Sequence, residues 1–152
     1  MSLENTYTLD GIDMQILKIL HSDGRVSLKE LAQTINMSAP SVTERVRPLE
    51  SRGIIRNFSV DVDLSLLGYT IEAVVRIKPR AGHMKQVEKM IVEQPRFISC
   101  DRVTGADCYI AKLVLKSINE IDVLLGPFHE CAETNTSIVK SSLVRKREPF
   151  AK

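Results

Sequence analysis

The chain of 152 residues predicts an α+β protein built from two parts. In residues 1–56, apolar residues recur at helical spacing in three successive runs. From residue 69 onward the spacing alternates between period two and helical periods, in the order β-α-β-β-α-β. We therefore predict a helical domain over 1–56, a linker strand over 57–68 and a strand-containing domain over 69–152.

The composition excludes several classes of protein. No apolar run approaches the roughly 20 residues of a membrane span, and the first twenty residues contain acids where a signal peptide would be basic and then apolar. We therefore expect a cytoplasmic, globular protein with no membrane partner. The three cysteines are odd in number and form no CxxC pair, which indicates reduced thiols rather than disulfides or a zinc site.

The charge is distributed unevenly. Residues 1–63 carry seven Lys/Arg against nine Asp/Glu, whereas residues 64–152 carry fourteen against ten. The helical half is therefore not basic overall. Any affinity for nucleic acid must come from clustered arginines, from the basic C-terminal run KSSLVRKREPFAK and from linking several copies. The clustered arginines are Arg45, Arg47, Arg52 and Arg56.

The first two helices have clear start signals. Asp10 is suited to cap the first helix, which ends at Ser22-Asp23-Gly24. Ser27 and Glu30 form a capping box that opens the second. The apolar stripe of the first helix is Ile12, Ile16, Ile19 and Leu20; in the second, Leu28, Leu31 and Ile35 are expected to face inward.

The third helix starts at Ser38, an N-cap, carries Pro40 in its first turn and runs toward Gly53. Its buried stripe is Val42, Val46 and Leu49, and its outer side carries Pro40, Thr43, Glu44, Arg47 and Pro48. Hydroxyl, carboxylate and guanidinium groups can read base edges in a major groove. Three helices with a short turn between the last two are typical of a helix-turn-helix DNA-binding domain, although an ordinary amphipathic helix would show the same stripe.

The second half reads as a ferredoxin-like βαββαβ unit, a four-stranded antiparallel sheet with both helices on one face. Ser117 and Glu120 form a further capping box, and Gly126-Pro127 should bend or shorten the helix that follows. The predicted strands are Thr70–Lys78, Phe97–Val103, Cys108–Lys116 and Ser137–Arg145; the first helix carries Met84, Val87, Met90 and Ile91, and the second Ile121, Leu124, Leu125 and Phe128.

One sheet face is left without helices. It should present Val74, Ile110 and Val114 mixed with Glu72, Arg76, Lys112 and Lys116. A face that is neither core nor fully polar is best covered by a second copy. We therefore expect a homodimer formed sheet to sheet.

The order of motifs resembles the Lrp/AsnC family of transcription factors over nearly the whole chain. The specific parts are LDGID before the first helix, DGR before the second, the stretch SAPSVTERVRPLESRGII, and VTG in the second half. The resemblance implies a winged helix-turn-helix, a ligand-sensing ACT-like (RAM) domain, dimers that often assemble into octamers, and regulation of transcription by amino acids bound between dimers. It also implies double-stranded DNA as partner and a nucleoid-associated location.

The resemblance places the helix-turn-helix at Leu28 to Arg47. Ser41, Thr43 and Arg47 would approach bases, and Glu44 could accept from a cytosine amine or balance the arginines. Arg45 lies at the edge of the buried stripe, where pairing with a carboxylate or a phosphate is slightly favoured over reading sequence. The candidate DNA-binding residues are Ser38, Ser41, Thr43, Glu44, Arg45 and Arg47.

Two positions depart from the family pattern. Pro48 lies inside the recognition helix and should kink or terminate it. Amino-acid-binding members tend to follow the glycine with D-Y-D-Y, whereas Gly105 is followed by Ala-Asp-Cys-Tyr, so the carboxylate has moved by one position. The candidate effector-binding residues are Thr104, Gly105, Asp107 and Cys108, with Thr136 from another subunit.

Three alternatives differ in function. A ligand-independent architectural DNA protein would use the same fold without an effector. Some relatives of the family are sirohaem decarboxylases, but the three histidines lie far apart with no cysteine or carboxylate in ligand spacing, so we expect no enzyme, cofactor or metal. An RNA-recognition module shares the βαββαβ order, but the third strand, YIAKLVL, lacks the stacking aromatics of that fold.

Overall fold

The computed structural model describes residues 8–144 and Pro149. Contacts divide the chain into two compact units, with the boundary between Asp61 and Val62. This boundary falls inside the predicted linker. Residues 1–7, 145–148 and 150–152 lie outside the described residues, and with them most of the basic run KSSLVRKREPFAK and Arg145, the last residue of the predicted fourth strand. No helix in the described ranges has the length and apolar character needed to cross a bilayer.

The first unit contains three helices: α1 (Gly11–Ser22), α2 (Leu28–Thr34) and α3 (Ala39–Ser51). Asp10 caps α1 and forms a capping box with Asp13; the predicted box of Ser27 and Glu30 caps α2, and Ser38 caps α3. The helices share one apolar core, which includes the predicted stripe of α3. This core consists of Ile16, Leu17, Leu31, Ala32, Val42, Val46 and Leu49.

Two details of this unit differ from prediction. Leu28, predicted to face inward, is 44% exposed because it occupies the first turn of α2, at the edge of the core. Pro48 does not terminate α3, which continues to Ser51. The N–H of Arg52 donates to the Pro48 carbonyl at 3.0 Å, so helical bonding resumes after the proline. Gly53 follows in the left-handed region (φ 72°) and ends the helix.

The second unit confirms the ferredoxin-like arrangement. Its elements are β1 (Ile71–Pro79), α4 (Met84–Glu93), β2 (Phe97–Arg102), β3 (Tyr109–Leu115), α5 (Glu120–Leu125) and β4 (Ala132–Ile138). The four strands form an antiparallel sheet in the order β2-β3-β1-β4. One 3₁₀ helix, Leu64–Leu67, precedes β1, and another, Gly126–Glu130, lies between α5 and β4. The second 3₁₀ helix shortens α5 at Gly126-Pro127, as predicted.

The core of this unit lies between one sheet face and the helices. Alternate residues of β1 and β3 point into it together with Val87, Ile91 and Phe128, as the period-two pattern predicts. Val114 was predicted on the open face, yet it is only 5% exposed within this single chain. It therefore adds little apolar surface for a second copy to cover, and Val74 and Ile110 supply the remainder.

Two predictions in this unit are wrong. The last strand is Ala132–Ile138, not Ser137–Arg145. It is an edge strand whose residues, AETNTSI, are mostly polar, so apolar alternation did not reveal it. The box of Ser117 and Glu120 does not form: Asn119 is the N-cap of α5 and makes no side-chain cap. The Glu120 carboxylate instead accepts from Arg96 at 2.5 Å and from the Lys116 N–H at 2.8 Å.

Within residues 8–144, the predicted linker strand pairs with no other strand. Residues 56–63 lie outside regular secondary structure, and the 3₁₀ helix Leu64–Leu67 follows them. Phe58, Val60 and Val62 keep the predicted alternation but are exposed. Apolar alternation alone cannot make a strand, because the backbone groups also need a neighbouring strand to bond.

Candidate DNA interface and effector hairpin

Helix α3 has a buried side and an open side. Val42 and Leu49 are fully buried in the first core, which fixes the helix against α1 and α2. Glu44 and Arg47 are exposed on the other side, and neither forms a hydrogen bond or ion pair within the described part of the chain. A cation and a carboxylate are thus presented to solvent on a helix held from behind.

The hydroxyl groups of α3 are already engaged. Ser38 Oγ and Ser41 Oγ lie 2.7 Å apart, and Ser38 Oγ also accepts from the Ser41 N–H at 3.3 Å. Thr43 Oγ1 donates to the Ala39 carbonyl at 2.9 Å. Both serines stabilise the start of the helix, while Thr43 keeps its lone pairs and its methyl group available.

Arg45 is paired with two carboxylates of α1. Its Nη1 donates to Asp10 Oδ2 at 2.6 Å and to Asp13 Oδ1 at 2.9 Å. Backbone hydrogen bonding from Asp13, reinforced by Arg45, holds the pKa of Asp10 below its usual value, and the two carboxylates raise the pKa of Arg45. Of the two roles weighed for Arg45, the structure shows carboxylate pairing.

A cavity of about 340 Å³ borders the open side of α3. Thr43, Arg47 and Glu50 contribute its polar wall, and Leu28 and Phe58 lie among its apolar lining. The exposed Leu28 is therefore not an isolated apolar side chain. Arg47 therefore lines the cavity while its side chain remains exposed.

Four candidate effector residues lie in one hairpin between β2 and β3. The Tyr109 N–H donates to the Asp107 carbonyl at 2.6 Å, closing a three-residue turn around Cys108. Cys108 has φ 56°, a conformation that is strained for a residue with a side chain. Gly105 also has positive φ (118°), where glycine is tolerated best. The hairpin is thus a strained, half-exposed turn.

Asp107 and Thr136 are placed apart from each other. The Asp107 carboxylate lies 4.0 Å from Arg76 Nε, and both side chains are about half exposed. Thr136 is on β4 opposite Val75, so β1 lies between it and β3. Thr136 therefore does not join the hairpin within one chain, and only a second subunit could bring it there.

Tyr109 connects this hairpin to α4. Its hydroxyl donates to Glu88 Oε1 at 2.6 Å, and this bond, with burial, raises the pKa of Tyr109. Arg102 Nη1 lies 3.9 Å from the same carboxylate and its Nη2 contacts Met84 Sδ at 3.3 Å. The base of the hairpin is thereby tied to the helix layer.

Sequence reasoning missed two of these contacts and the backbone strain at Cys108. Asp13 was not identified as a partner of Arg45, although its spacing of three residues from the cap Asp10 was a usable signal. The Glu88 partner of Tyr109 and the strain at Cys108 left no local signal, because both depend on how the chain folds back. Within the described residues, no group of three or more His, Cys, Asp or Glu is arranged to hold a metal ion.

Two known protein families match successive parts of the chain. Residues 9–56 match the family described as winged helix-turn-helix DNA-binding, and residues 72–149 match the Lrp/AsnC ligand binding domain. The transcriptional regulator LrpC of Bacillus subtilis is 34% identical over 138 residues, covering 91% of this chain and 96% of LrpC. The regulator FL11 of Pyrococcus horikoshii is 30% identical over 134 residues, covering 86% of this chain and 89% of FL11.

Solved structures agree. The structure of B. subtilis LrpC superposes with a TM-score of 0.86, covering 92% of this chain and all (100%) of that one. A feast or famine regulatory protein of Mycobacterium tuberculosis, complexed with L-methionine, superposes with a TM-score of 0.84 at 27% identity, covering 94% of this chain and 99% of that one. With both domains matched in order, the chain belongs to the Lrp/AsnC family of helix-turn-helix transcriptional regulators.

Proposed function

We propose that this regulator recognises specific double-stranded DNA sites through α3, with Thr43, Glu44 and Arg47 facing the bases. The observation that carries the proposal is the two-sided burial of α3, with Val42 and Leu49 buried and Glu44 and Arg47 exposed. Ser38 and Ser41 lie at the N-terminus of the same helix, where the positive end of the helix dipole can attract a phosphate. Because the first 63 residues are not basic overall, most of the binding free energy must come from contacts with specific sites and not from general attraction to phosphates.

The proposal is tested by selecting binding sites from randomised duplexes with the full chain. We expect a defined motif, with two half-sites about one helical turn apart if the protein binds as a dimer. The selected duplex should bind at least about a thousandfold more tightly than a scrambled duplex at the same salt concentration. Enrichment of no motif, with equal affinity for both duplexes, would contradict the proposal.

We further propose an amino acid as effector, bound at the hairpin of Thr104, Gly105, Asp107 and Cys108 with Thr136 from a neighbouring subunit. Support comes from the match to the ligand-binding domain and from the M. tuberculosis relative complexed with L-methionine. The hairpin offers exposed backbone groups and a carboxylate. Calorimetry of the full chain against the twenty amino acids tests this. If none of the amino acids gives binding heat, the ligand-independent architectural alternative is favoured.

Assembly is proposed to begin with a sheet-to-sheet dimer and to continue to an octamer. On the open face, Val74 and Ile110 lie among charged pairs such as Lys112 and Glu72, 3.1 Å apart. Two copies related by a twofold axis can bury such a mixed face. Light scattering should give a dimer or a multiple of it at micromolar concentration, and Val74→Glu should shift the mass toward the monomer. A monomeric native protein would contradict the proposal.

We propose no enzymatic activity. The relatives are named as transcriptional regulators, and the histidines His21, His83 and His129 lie in separate elements or turns. A Soret band in the purified protein would instead favour the sirohaem-processing alternative. Because its proposed partner is chromosomal DNA, we propose a cytoplasmic, nucleoid-associated location, which fluorescence microscopy of a tagged chain would test.

A further inference from the structure

We propose that Arg45 is a positioning residue for DNA reading and that Asp10 and Asp13 act through it, so that the start of α1 sets the orientation of α3. We call these three residues the Arg45 clamp. The inference rests on the proposed function, because it concerns how the reading helix is held. It assigns to Arg45, and to two carboxylates outside the helix-turn-helix, a role in recognition without contact with DNA.

The first support is geometric. One guanidinium nitrogen lies 2.6 Å from Asp10 and 2.9 Å from Asp13, which are 35 and 32 residues away in the sequence. The two carboxylates are the N-cap and third residue of α1, and both also accept backbone N–H groups there. Arg45 is thus bonded to groups whose own positions are fixed by the cap.

Burial of the Asp13 carboxylate also supports the clamp. The Asp13 side chain is only 4% exposed, and that of Arg45 is 30% exposed. If Arg45 swung out to a base, the Asp13 carboxylate would lose its cation partner while buried, which is strongly unfavourable. A base contact by Arg45 therefore competes with the pair that holds α3 against α1.

The directionality of the Arg45 hydrogen bonds also supports the clamp. Burial of Val42, Val46 and Leu49 sets which side of α3 faces outward, but apolar contacts are non-directional and allow small rotations of the helix. Charge-assisted hydrogen bonds are strongly directional. Arg45 lies between the buried stripe and the exposed Glu44, so its bonds to α1 fix rotation about the helix axis. That rotation decides which way Thr43 and Arg47 point.

A double-variant cycle tests the clamp. Affinities of the full chain for the selected and scrambled duplexes are measured across a range of salt concentrations for Arg45→Met, Asp13→Asn and both together. We expect each single variant to lower the ratio of selected to scrambled affinity by about tenfold, and the double variant to lower it no further. The slope of log affinity against log salt should not change.

Two further variants guard against loss of folding. Asp10→Asn keeps a good N-cap while removing a charge partner of Arg45, and should also lower the ratio, by a smaller factor. Arg47→Ala serves as the control for a direct DNA contact. In the variant that combines Arg47→Ala with Asp13→Asn, the two fold-losses in the ratio of selected to scrambled affinity should multiply. If instead Arg45→Met makes the salt slope shallower by about 0.9 and weakens both duplexes equally, Arg45 is a phosphate contact and the clamp is wrong.

A measurement without DNA separates the clamp from the proposed function. If the native chain selects no duplex, the proposed function fails, but amide hydrogen exchange still tests the clamp. Arg45→Met should then speed exchange of the Val42 and Val46 amides by about tenfold relative to the amides of β3. Unchanged exchange in α3 would overturn the clamp whatever the DNA result.

Discussion

The phenolic hydroxyl of Tyr109 donates a 2.6 Å hydrogen bond to Glu88, 21 residues earlier in the chain, and joins β3 to α4 at the base of the hairpin. Tyr109 is 4% exposed, so Tyr109→Phe should leave the packing intact and remove one bond to a charged group. We expect a loss of about 1–2 kcal/mol in the free energy of opening of β3. Native-state hydrogen exchange at Ala111 and Leu113 measures this loss.

The matched control for that bond is Glu93→Gln, which breaks the solvent-exposed pair of Lys89 and Glu93 on the same helix. Exposed pairs of this kind contribute about 0.5 kcal/mol or less. An equal loss of opening free energy in both variants would show that the Tyr109–Glu88 bond contributes no more than an exposed ion pair.

The strain at Cys108 predicts an asymmetric response to β-branched residues. Cys108→Val should destabilise the second unit by about 1–3 kcal/mol, because a branched side chain disfavours φ near 56°. Cys100→Val is the control, since position 100 is an exposed strand position where valine is favoured. Thermal unfolding of the two variants should differ clearly, and equal unfolding temperatures would argue against strain.

Arg47→Ala should weaken binding to the selected duplex by about 1–3 kcal/mol if the guanidinium contacts guanine on two atoms. Binding to a scrambled duplex should change much less. Lys89→Ala removes the same charge from the exposed surface of the second unit and should leave the ratio of affinities unchanged. An equal loss on both duplexes would make Arg47 a phosphate contact.

The first unit should lose stability in acid before the second. Backbone and side-chain hydrogen bonds lower the pKa of Asp10, and the Ser27 hydroxyl and N–H lower that of Glu30. A lowered folded-state pKa gives stability that is present above the unfolded pKa of about 4 and is lost as pH falls through the folded value. Amide NMR signals of α1 and α2 should therefore weaken below about pH 4. In Asp10→Asn, the decline at α1 should be smaller.

Pro48 offers a stability test. Its ring removes the N–H that would bond the Glu44 carbonyl inside α3, so Pro48→Ala should stabilise the first unit by about 1–3 kcal/mol. Pro40→Ala is the control, because the first turn has no bond for a proline to break and its effect should be within about 0.5 kcal/mol. Chemical denaturation followed through α3 amides compares them, and equal effects would contradict the prediction.

Local patterns predicted those elements whose stabilising contacts are local. The caps Asp10, Ser27 and Ser38 are short-range hydrogen bonds, and the stripe of α3 follows from helical periodicity, so both were visible in the sequence. The alternation in β1 and β3 was visible for the same reason. The candidate hairpin could likewise be located from its turn residues.

Errors arose where a distant group decided the outcome. Glu120 fits a capping box, but Arg96, 24 residues earlier, draws its carboxylate away. The edge strand Ala132–Ile138 is stabilised by backbone bonding to β1, which a polar sequence does not reveal. The segment containing Phe58 and Val60 is exposed, and only another strand could pair with it. Apolar alternation within the segment was therefore not enough to predict a strand.

The hydrogen bond from Thr43 Oγ1 to the Ala39 carbonyl has a consequence for base preference. While that bond is kept, Thr43 does not donate to guanine O6 or N7, but it can accept from an adenine or cytosine amine, and its methyl can touch that of thymine. We therefore expect guanine to be disfavoured opposite Thr43 in selected sites. A Thr43→Val variant that keeps a thymine preference would assign the discrimination to the methyl group.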